Sequence, residues 1–318
     1  MFVSIKSDAT YRAILRWLLS TFVLTAFVAS GESMNEFDGV NPGPWISYEK
    51  TESEPWRTQA GIVKFFEFVV PIEGMSPRSF HIYWQKHHSP HVMNITEFSQ
   101  FMKKYNTGHR LRMDQAVMPP AITQDHAFVG AAEVWLSSLS DVSVWLGKSV
   151  YEDLIQPDEP RFIAQDGSAE IMVGKEQRVL EASADMPEQN LPKLYLLVGK
   201  ASSSSEEDFH SGVARAAEAL IAVPEARAML HQVVVTHKLV GDLPDGLGGG
   251  SIDAVMELWF ADMESAAKLI ASEAFIDCVG SLSVAEKPMR AFLARMHVVH
   301  DEFSFQPSVT QPIYFRLE

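Results

Sequence analysis

Lys64-Phe65-Phe66-Glu67-Phe68-Val69-Val70 and Lys193-Leu194-Tyr195-Leu196-Leu197-Val198-Gly199 decide how this chain is read, because they are one strand written twice, 129 residues apart (64 to 193). Phe80-His81 is answered by Phe209-His210 at the same offset. His109-Arg110-Leu111 is answered by His237-Lys238-Leu239 at 128 (109 to 237), and Glu133-Val134-Trp135-Leu136 by Glu257-Leu258-Trp259-Phe260 at 124 (133 to 257). Four matches in one order imply two copies of a unit of roughly 120 residues, an ordinary domain size.

The same elements follow in each copy. Gly61 to Val70 is a continuous apolar run closed by Pro71 and Gly74, which predicts a central strand. Ser76-Pro77 supplies an N-cap with proline at the first helical position. The helix it starts carries Phe80, Tyr83, Trp84, His87 and His91 on one stripe, and Pro90 ends or distorts it. Strands over 101–113 and 128–136, a helix over 140–151 and a strand over 169–173 complete the copy. The second copy repeats the order with strands at 193–199, 230–240, 252–260 and 296–300 and helices at 205–221 and 263–272. Strand, helix, strand, strand, helix, strand is the ferredoxin-like order, which covers one sheet face with helices and leaves the other bare. The expected fold class is therefore α+β, with tandem ferredoxin-like domains packed sheet to sheet as an intramolecular dimeric α+β barrel around a central pocket. The boundaries fall at 61–180 and 193–305, with a polar linker over 181–192, a leader over 34–60 and a tail over 306–318.

Composition narrows the partners. The 318 residues are 47% hydrophobic, enough for two cores, and the net charge of −15 argues against a nucleic-acid surface, which needs clustered Lys and Arg. A single cysteine, Cys278, excludes an internal disulfide and a cysteine-based zinc site. Residues 1–33 place Lys6, Arg12 and Arg16 before an apolar run, Leu18 to Ala29, too short to span a membrane comfortably. They read either as a secretory signal, giving an exported protein, or as upstream sequence before a start at Met34, giving a cytoplasmic one. The expected partner is a small molecule, with no nucleic acid and no membrane, and the chain is a monomeric pseudo-dimer or a homodimer of it.

Two separated motifs carry a family resemblance. Met75-Ser76-Pro77, Phe80, Tyr83-Trp84 and His88-Ser89-Pro90 are followed by Gly130-Ala131-Ala132-Glu133-Val134-Trp135-Leu136. Over about 61–180 this resembles the EthD family of dimeric α+β barrels. The second copy keeps Glu257-Leu258-Trp259-Phe260 but has lost the helix motif, with Gly212 and Ala214 in place of large residues. The resemblance implies a small aromatic or polyketide-like ligand, catabolic or biosynthetic chemistry, and no universal cofactor.

His87, His88, His91 and His109 are four of 11 histidines, gathered on one helix and the strand after it. Helix periodicity puts His87 and His91 on the Phe80 stripe and His88 at its edge. The family pattern points to His88, and the negative end of the helix dipole before Pro90 favours its imidazolium. His109 and His237 occupy matched strand positions whose period either turns both into the central pocket or leaves both on the surface. Glu133, matched by Glu257, needs a partner if buried: it faces the pocket or pairs with a structural Lys or Arg. Trp84 and Trp135 are core residues or a ligand platform. His87-x-x-x-His91 has two-histidine metal spacing, but Pro90 spoils the register and no carboxylate shares the turn, so no metal is expected. The candidate catalytic residues are His88 and His109. The candidate substrate-binding residues are Tyr83, Trp84, His87, His91, Glu133, Trp135 and His237. The leading function is an enzyme using cofactor-independent acid/base or oxidative chemistry, of oxidoreductase, decarboxylase or cyclase type. The alternative is a non-catalytic binding or accessory protein for a degradative oxygenase system.

Overall fold

Alternation along the strands sorts their side chains into two sets. On β1 (Val63–Val69), Val63, Phe65 and Val69 pack under the helices while Lys64, Phe66 and Phe68 turn the other way. The computed structural model describes residues 61–303 apart from 113–117, 148, 183–187, 240–246 and 248–249. Beyond β1 the strands are β2 (Lys104–Arg110), the short β3 (Ile122–Thr123), β4 (Gly130–Leu136), β5 (Glu170–Leu180), β6 (Pro192–Val198), β7 (Gln232–Lys238), β8 (Ala254–Trp259) and β9 (Met289–Asp301).

Eight of them form one closed ring in the order β2-β4-β1-β5-β7-β8-β6-β9, with β9 returning to β2 and β3 attached to β9. All eight contacts are antiparallel. This overturns the expectation of tandem ferredoxin-like domains stacked sheet to sheet. The physical reason is at the edges. β5 and β9 are much longer than the five-residue strands expected there, and they hydrogen-bond to β7 and β2, so no edge is left open and the chain makes a single β-barrel with its helices outside. The register repeats all the same: Lys64 faces Trp135 as Lys193 faces Trp259, and Phe66 faces Glu133 as Tyr195 faces Glu257.

The helices pack outside the ring. In the first half they are α1 (Pro77–Tyr83), a π-helical turn over Trp84–His88, α2 (Ser89–Asn94), α3 (Thr96–Ser99), α4 (Leu139–Leu146) and a second π turn over Tyr151–Ile155. In the second they are α5 (Glu206–Ala222), α6 (Pro224–Met229), α7 (Met263–Ile270) and α8 (Glu273–Ser281). Ser76 and Ser205 cap α1 and α5 by accepting from the amides of Ser79 and Asp208. No helix among the described residues is long and apolar enough to cross a membrane.

Inside the ring the expected pocket is filled. Phe66, Phe68, Phe128, Tyr195, Phe292 and Met296 form its apolar part. Beside them lies an ion cluster in which Lys64 reaches Glu257 (2.7 Å), Glu176 (3.0 Å) and Glu133 (3.2 Å), while Lys193 bonds Glu133 and Glu257. Burial alone would lower the Lys64 ammonium, but these three carboxylates hold it above the usual lysine range. Burial alone would raise Glu133, and Lys193 and Lys64 bring it instead to about 2. The segment expected to be a polar linker supplies Glu188, which accepts from the buried Lys104 (2.6 Å) and from Asn106 (3.2 Å). Residues 1–60, 183–187 and 304–318, which include the 1–33 segment, lie outside the described residues.

Candidate active site between helix and sheet

The outer layer of the first half is apolar like its counterpart except along one row, which carries polar side chains. One row of side chains across β2, β4 and β1 reads Thr107, Ala132, Glu67, since Thr107 pairs with Ala132 and Ala132 with Glu67. The same row in the second half reads Val235, Met256, Leu196, all three buried in that half's core. Tyr105 in the next row answers to Val233. A glutamate beside an alanine thus stands where a leucine and a methionine fill the layer.

Above this row sit α1 and the π turn after it. Pro90 does not end the helix. The turn widens ahead of it, with the Ser89 amide bonding the Trp84 carbonyl five residues back, and the helix continues into α2. The wider turn delays the buried stripe by one residue. His88 is therefore buried, while His87, on the expected stripe, is exposed. His91, in α2, bonds the Leu154 carbonyl (2.8 Å) and ties that helix to the second π turn.

His88 is oriented by a carboxylate. Its Nδ1 lies 3.0 Å from Asp158, whose other oxygen accepts the Tyr83 hydroxyl at 2.5 Å. Burial pulls the imidazole below its usual value, more than Asp158 raises it, so His88 is neutral at pH 7. That corrects the expected imidazolium: the dipole of a helix end does not act where the helix runs on. Phe162 packs against the rings of His88 (4.8 Å) and Tyr83 (5.1 Å).

Next to Asp158, Glu159 accepts the Tyr151 hydroxyl at 2.9 Å and acts electrostatically on Glu67. Glu67 keeps part of its surface accessible, yet burial, and then the Glu159 charge, push its carboxyl up to about 8. The Tyr105 hydroxyl, 3.3 Å from Ser89, feels both carboxyls and is itself raised to about 12, chiefly by burial. Sequence reasoning quoted Glu67 only as part of an apolar strand. Its signal was available in the Leu196 that answers it at offset 129 (67 to 196).

The remaining candidates are placed elsewhere. His109 and His237 turn away from the barrel interior, under the helices, against His81 (Nδ1 to Nδ1, 2.9 Å) and His210 (ring centroids 4.6 Å). Trp84 packs beneath α1 on Phe80 and His109. Glu133 and Trp135 lie inside the ring, the first on Lys193 and Lys64, the second under the Lys64 ammonium at 4.3 Å. The structure thus gathers Tyr83, Trp84, His88 and His91 on one side of the first half and separates Glu133, Trp135 and His237 from them. No group of three or more metal-ligating side chains occurs among the described residues.

The helix motif and the Glu-x-Trp strand thus belong to one half-barrel, with His88 bonded to Asp158 on its helix side. Residues 72–166 match the EthD domain. The EthD segment contains His88, Ser89, Tyr105, Tyr151, Asp158 and Glu159, begins five residues after Glu67 (67 to 72), and leaves the second half outside. Among solved structures, an anthrone oxidase-like protein is 8% identical, covering 78% of this chain and 97% of its own, with a TM-score of 0.51. A candidate monooxygenase from Fusobacterium nucleatum subsp. nucleatum is 9% identical over 76% of this chain and 94% of its own, TM-score 0.45. A chlorite dismutase variant from Candidatus Nitrospira defluvii is 12% identical over 76% and 94%, TM-score 0.42. At 8% identity the likeness to the anthrone oxidase-like protein is one of fold alone. No curated protein matches the chain in sequence.

Proposed function

We propose that the chain is an enzyme acting on a small aromatic or polyketide-like molecule held in the cleft between α1 and the β2-β4-β1 face, by acid/base chemistry that leads to oxidation. The observation that carries this reading is the difference between the halves. Thr107, Ala132 and Glu67 occupy the row that Val235, Met256 and Leu196 fill opposite; Thr107 is satisfied by His109, but a carboxyl such as Glu67 in that layer costs stability that a role outside folding would offset. The EthD match over this half supports the choice of chemistry, and the anthrone oxidase-like protein of the same fold suggests which compounds to try first.

His88 is the proton-transfer group. Its bond to Asp158 places the ring proton on Nδ1, which leaves the Nε2 lone pair to accept a proton from a phenol, an enol or an activated methylene. The deprotonated, electron-rich ligand then reacts with dioxygen. For a methylene, one oxygen atom ends in the new carbonyl and the other leaves as water. Tyr83 holds Asp158 in place from its other oxygen.

Oxygen uptake by the purified protein, with anthrone and simple polyphenols as substrates, tests the reading. Uptake that His88→Gln abolishes supports it. A co-purifying aromatic ligand seen by native mass spectrometry, bound equally by wild type and His88→Gln with no uptake in either, would favour the accessory-protein reading.

A further inference from the structure

Ala132 lies on β4 with a paired strand on either side, Thr107 of β2 next to it and Glu67 of β1 beyond, and it faces the helices. It nevertheless keeps 8% of its surface accessible, and Glu67 is only half-buried. Met256, which holds the matching place in the second half, is fully buried, as are its neighbours Val235 and Leu196. Solvent reaches a residue that deep in a sheet only through a gap in the layer above it, so the first half is open at the row where the second is closed.

The first π turn crosses this gap. At its start Trp84 lies over Gly130, two positions back along the same face of β4 (130 to 132), where a Cβ would sit 2.8 Å from the indole. Just past its end the Ser89 hydroxyl is 3.3 Å from that of Tyr105, whose strand partner is Val134, two positions on (132 to 134). Ala132 falls between the two contacts. The buried side chains that the turn carries between Trp84 and Ser89 are Gln85 and His88, both polar. His88 has its bond to Asp158. No hydrogen bond to the Gln85 side chain occurs among the described residues, and an amide buried without a partner is costly unless something else supplies one.

We infer that the gap over Ala132 seats the ring of the ligand, with a ring hydroxyl or carbonyl bonded by the Gln85 amide, and that Ala132 is the specificity-determining residue that sets the bulk of the ring admitted. The inference deepens the proposed function and rests on the same site. An aromatic ring presents a thin apolar edge that can occupy the place of a missing side chain, while its oxygen substituents answer the polar groups above. Glu67, paired with Ala132 across the strand, borders the same gap.

Calorimetric titration of the full chain with 2-naphthol, a flat ring system with one hydroxyl, tests this without turnover. Wild type should bind it saturably. Ala132→Met copies Met256 and should weaken binding by roughly 10- to 200-fold for each methylene that takes the place of the ring, yet melt no lower than wild type, because the new side chain enters open space. Gln85→Leu should also weaken binding with the fold intact. No saturable binding by wild type, or undiminished binding by Ala132→Met, would overturn the inference. If Ala132→Met does not fold, Ala132→Val makes the same comparison with a smaller side chain: a wild-type melt with weaker binding supports the gap, and a lowered melt shows that the side chains of the turn already fill it. Binding that follows these substitutions, with no oxygen uptake from any compound, keeps the ring site and removes the proposed function. Oxygen uptake that Ala132→Met leaves unchanged keeps the function and removes the ring site.

Discussion

His81 Nδ1 lies 2.9 Å from His109 Nδ1, and the pair recurs in the other half as His210 against His237, with ring centroids 4.6 Å apart. At that separation one ring donates and the other accepts, and two charged rings are excluded. Thr107 bonds the second nitrogen of His109 (3.0 Å). A pair kept in both halves, including the one with a solid apolar layer, belongs to the scaffold that spaces helix from sheet.

These buried histidines predict a steep acid limit. Burial lowers His81 to about 4 and His237 to about 3, and burial, with His81 and His297 adding to it, brings His109 well below its usual value. All lie below the unfolded value of ~6.5. As pH falls below that point the unfolded chain binds protons that the native protein refuses, so stability is intact above about 6.5 and is lost toward pH 5. Each such proton contributes about 1.4 kcal/mol per pH unit. Urea midpoints measured from pH 7.5 to 5 should fall steeply; a flat series would mean these rings accept protons in place.

The ion cluster inside the ring predicts a different cost. Lys193→Met leaves Glu133 and Glu257 facing each other with Lys64 as their remaining shared cation. Removing one member of a buried network costs about 3–5 kcal/mol. Denaturation of Lys193→Met should show that loss, while turnover per folded molecule stays near wild type because the cluster is on the opposite side of the sheet from the cleft. Lost turnover in a well-folded variant would move the site into the ring.

Gly130 predicts how closely the helix is held. A Cβ there would lie 2.8 Å from the Trp84 ring and against the Gly108 carbonyl. Gly130→Ala should cost about 1–3 kcal/mol by overpacking and lift Trp84 away from the strand. Trp fluorescence and a thermal melt read both effects, and an unchanged melt would mean that the helix yields freely.

Glu67 predicts a conflict between stability and function. Glu67→Leu copies the residue at the matching place in the second half, Leu196, and removes an uncompensated polar group from an apolar layer. The variant should gain about 1–3 kcal/mol and lose turnover. A destabilised variant would show that the carboxyl has a structural partner and that the layer was built around it.

How much of this was legible follows from what local sequence encodes. Ser76-Pro77 announced α1, and the paired strands announced themselves by β-branched and aromatic runs and by the repeated Glu-x-Trp. Ring closure was not legible because it depends on the lengths of β5 and β9, and the outer part of β5, Lys175 to Leu180, alternates polar and apolar residues weakly. The family resemblance points to His88, but its charge is not legible, since the sequence shows Pro90 and not the π turn that absorbs it. Glu67 went unread because a single carboxylate in an apolar run is invisible to periodicity; comparing it with Leu196 exposes it.

The last prediction joins the two ends of the site. His88 bonds Asp158, and the Glu159 charge acts on Glu67. Turnover needs His88 neutral and Glu67 protonated, so it should fall on the acid side as the imidazole takes a proton, below its usual value of ~6.5, and on the alkaline side as Glu67 ionises near pH 8. The profile of kcat/KM against pH should be bell-shaped. His88→Gln should lower turnover by ~10²- to 10⁴-fold and remove the acid limb, whereas His210→Gln, in the half whose layer is closed, should leave both limbs and the rate nearly intact. Glu67→Gln should remove the alkaline limb alone. A profile that keeps its alkaline limb in Glu67→Gln would assign that limb to another group and leave His88 as the one titrating residue of the site.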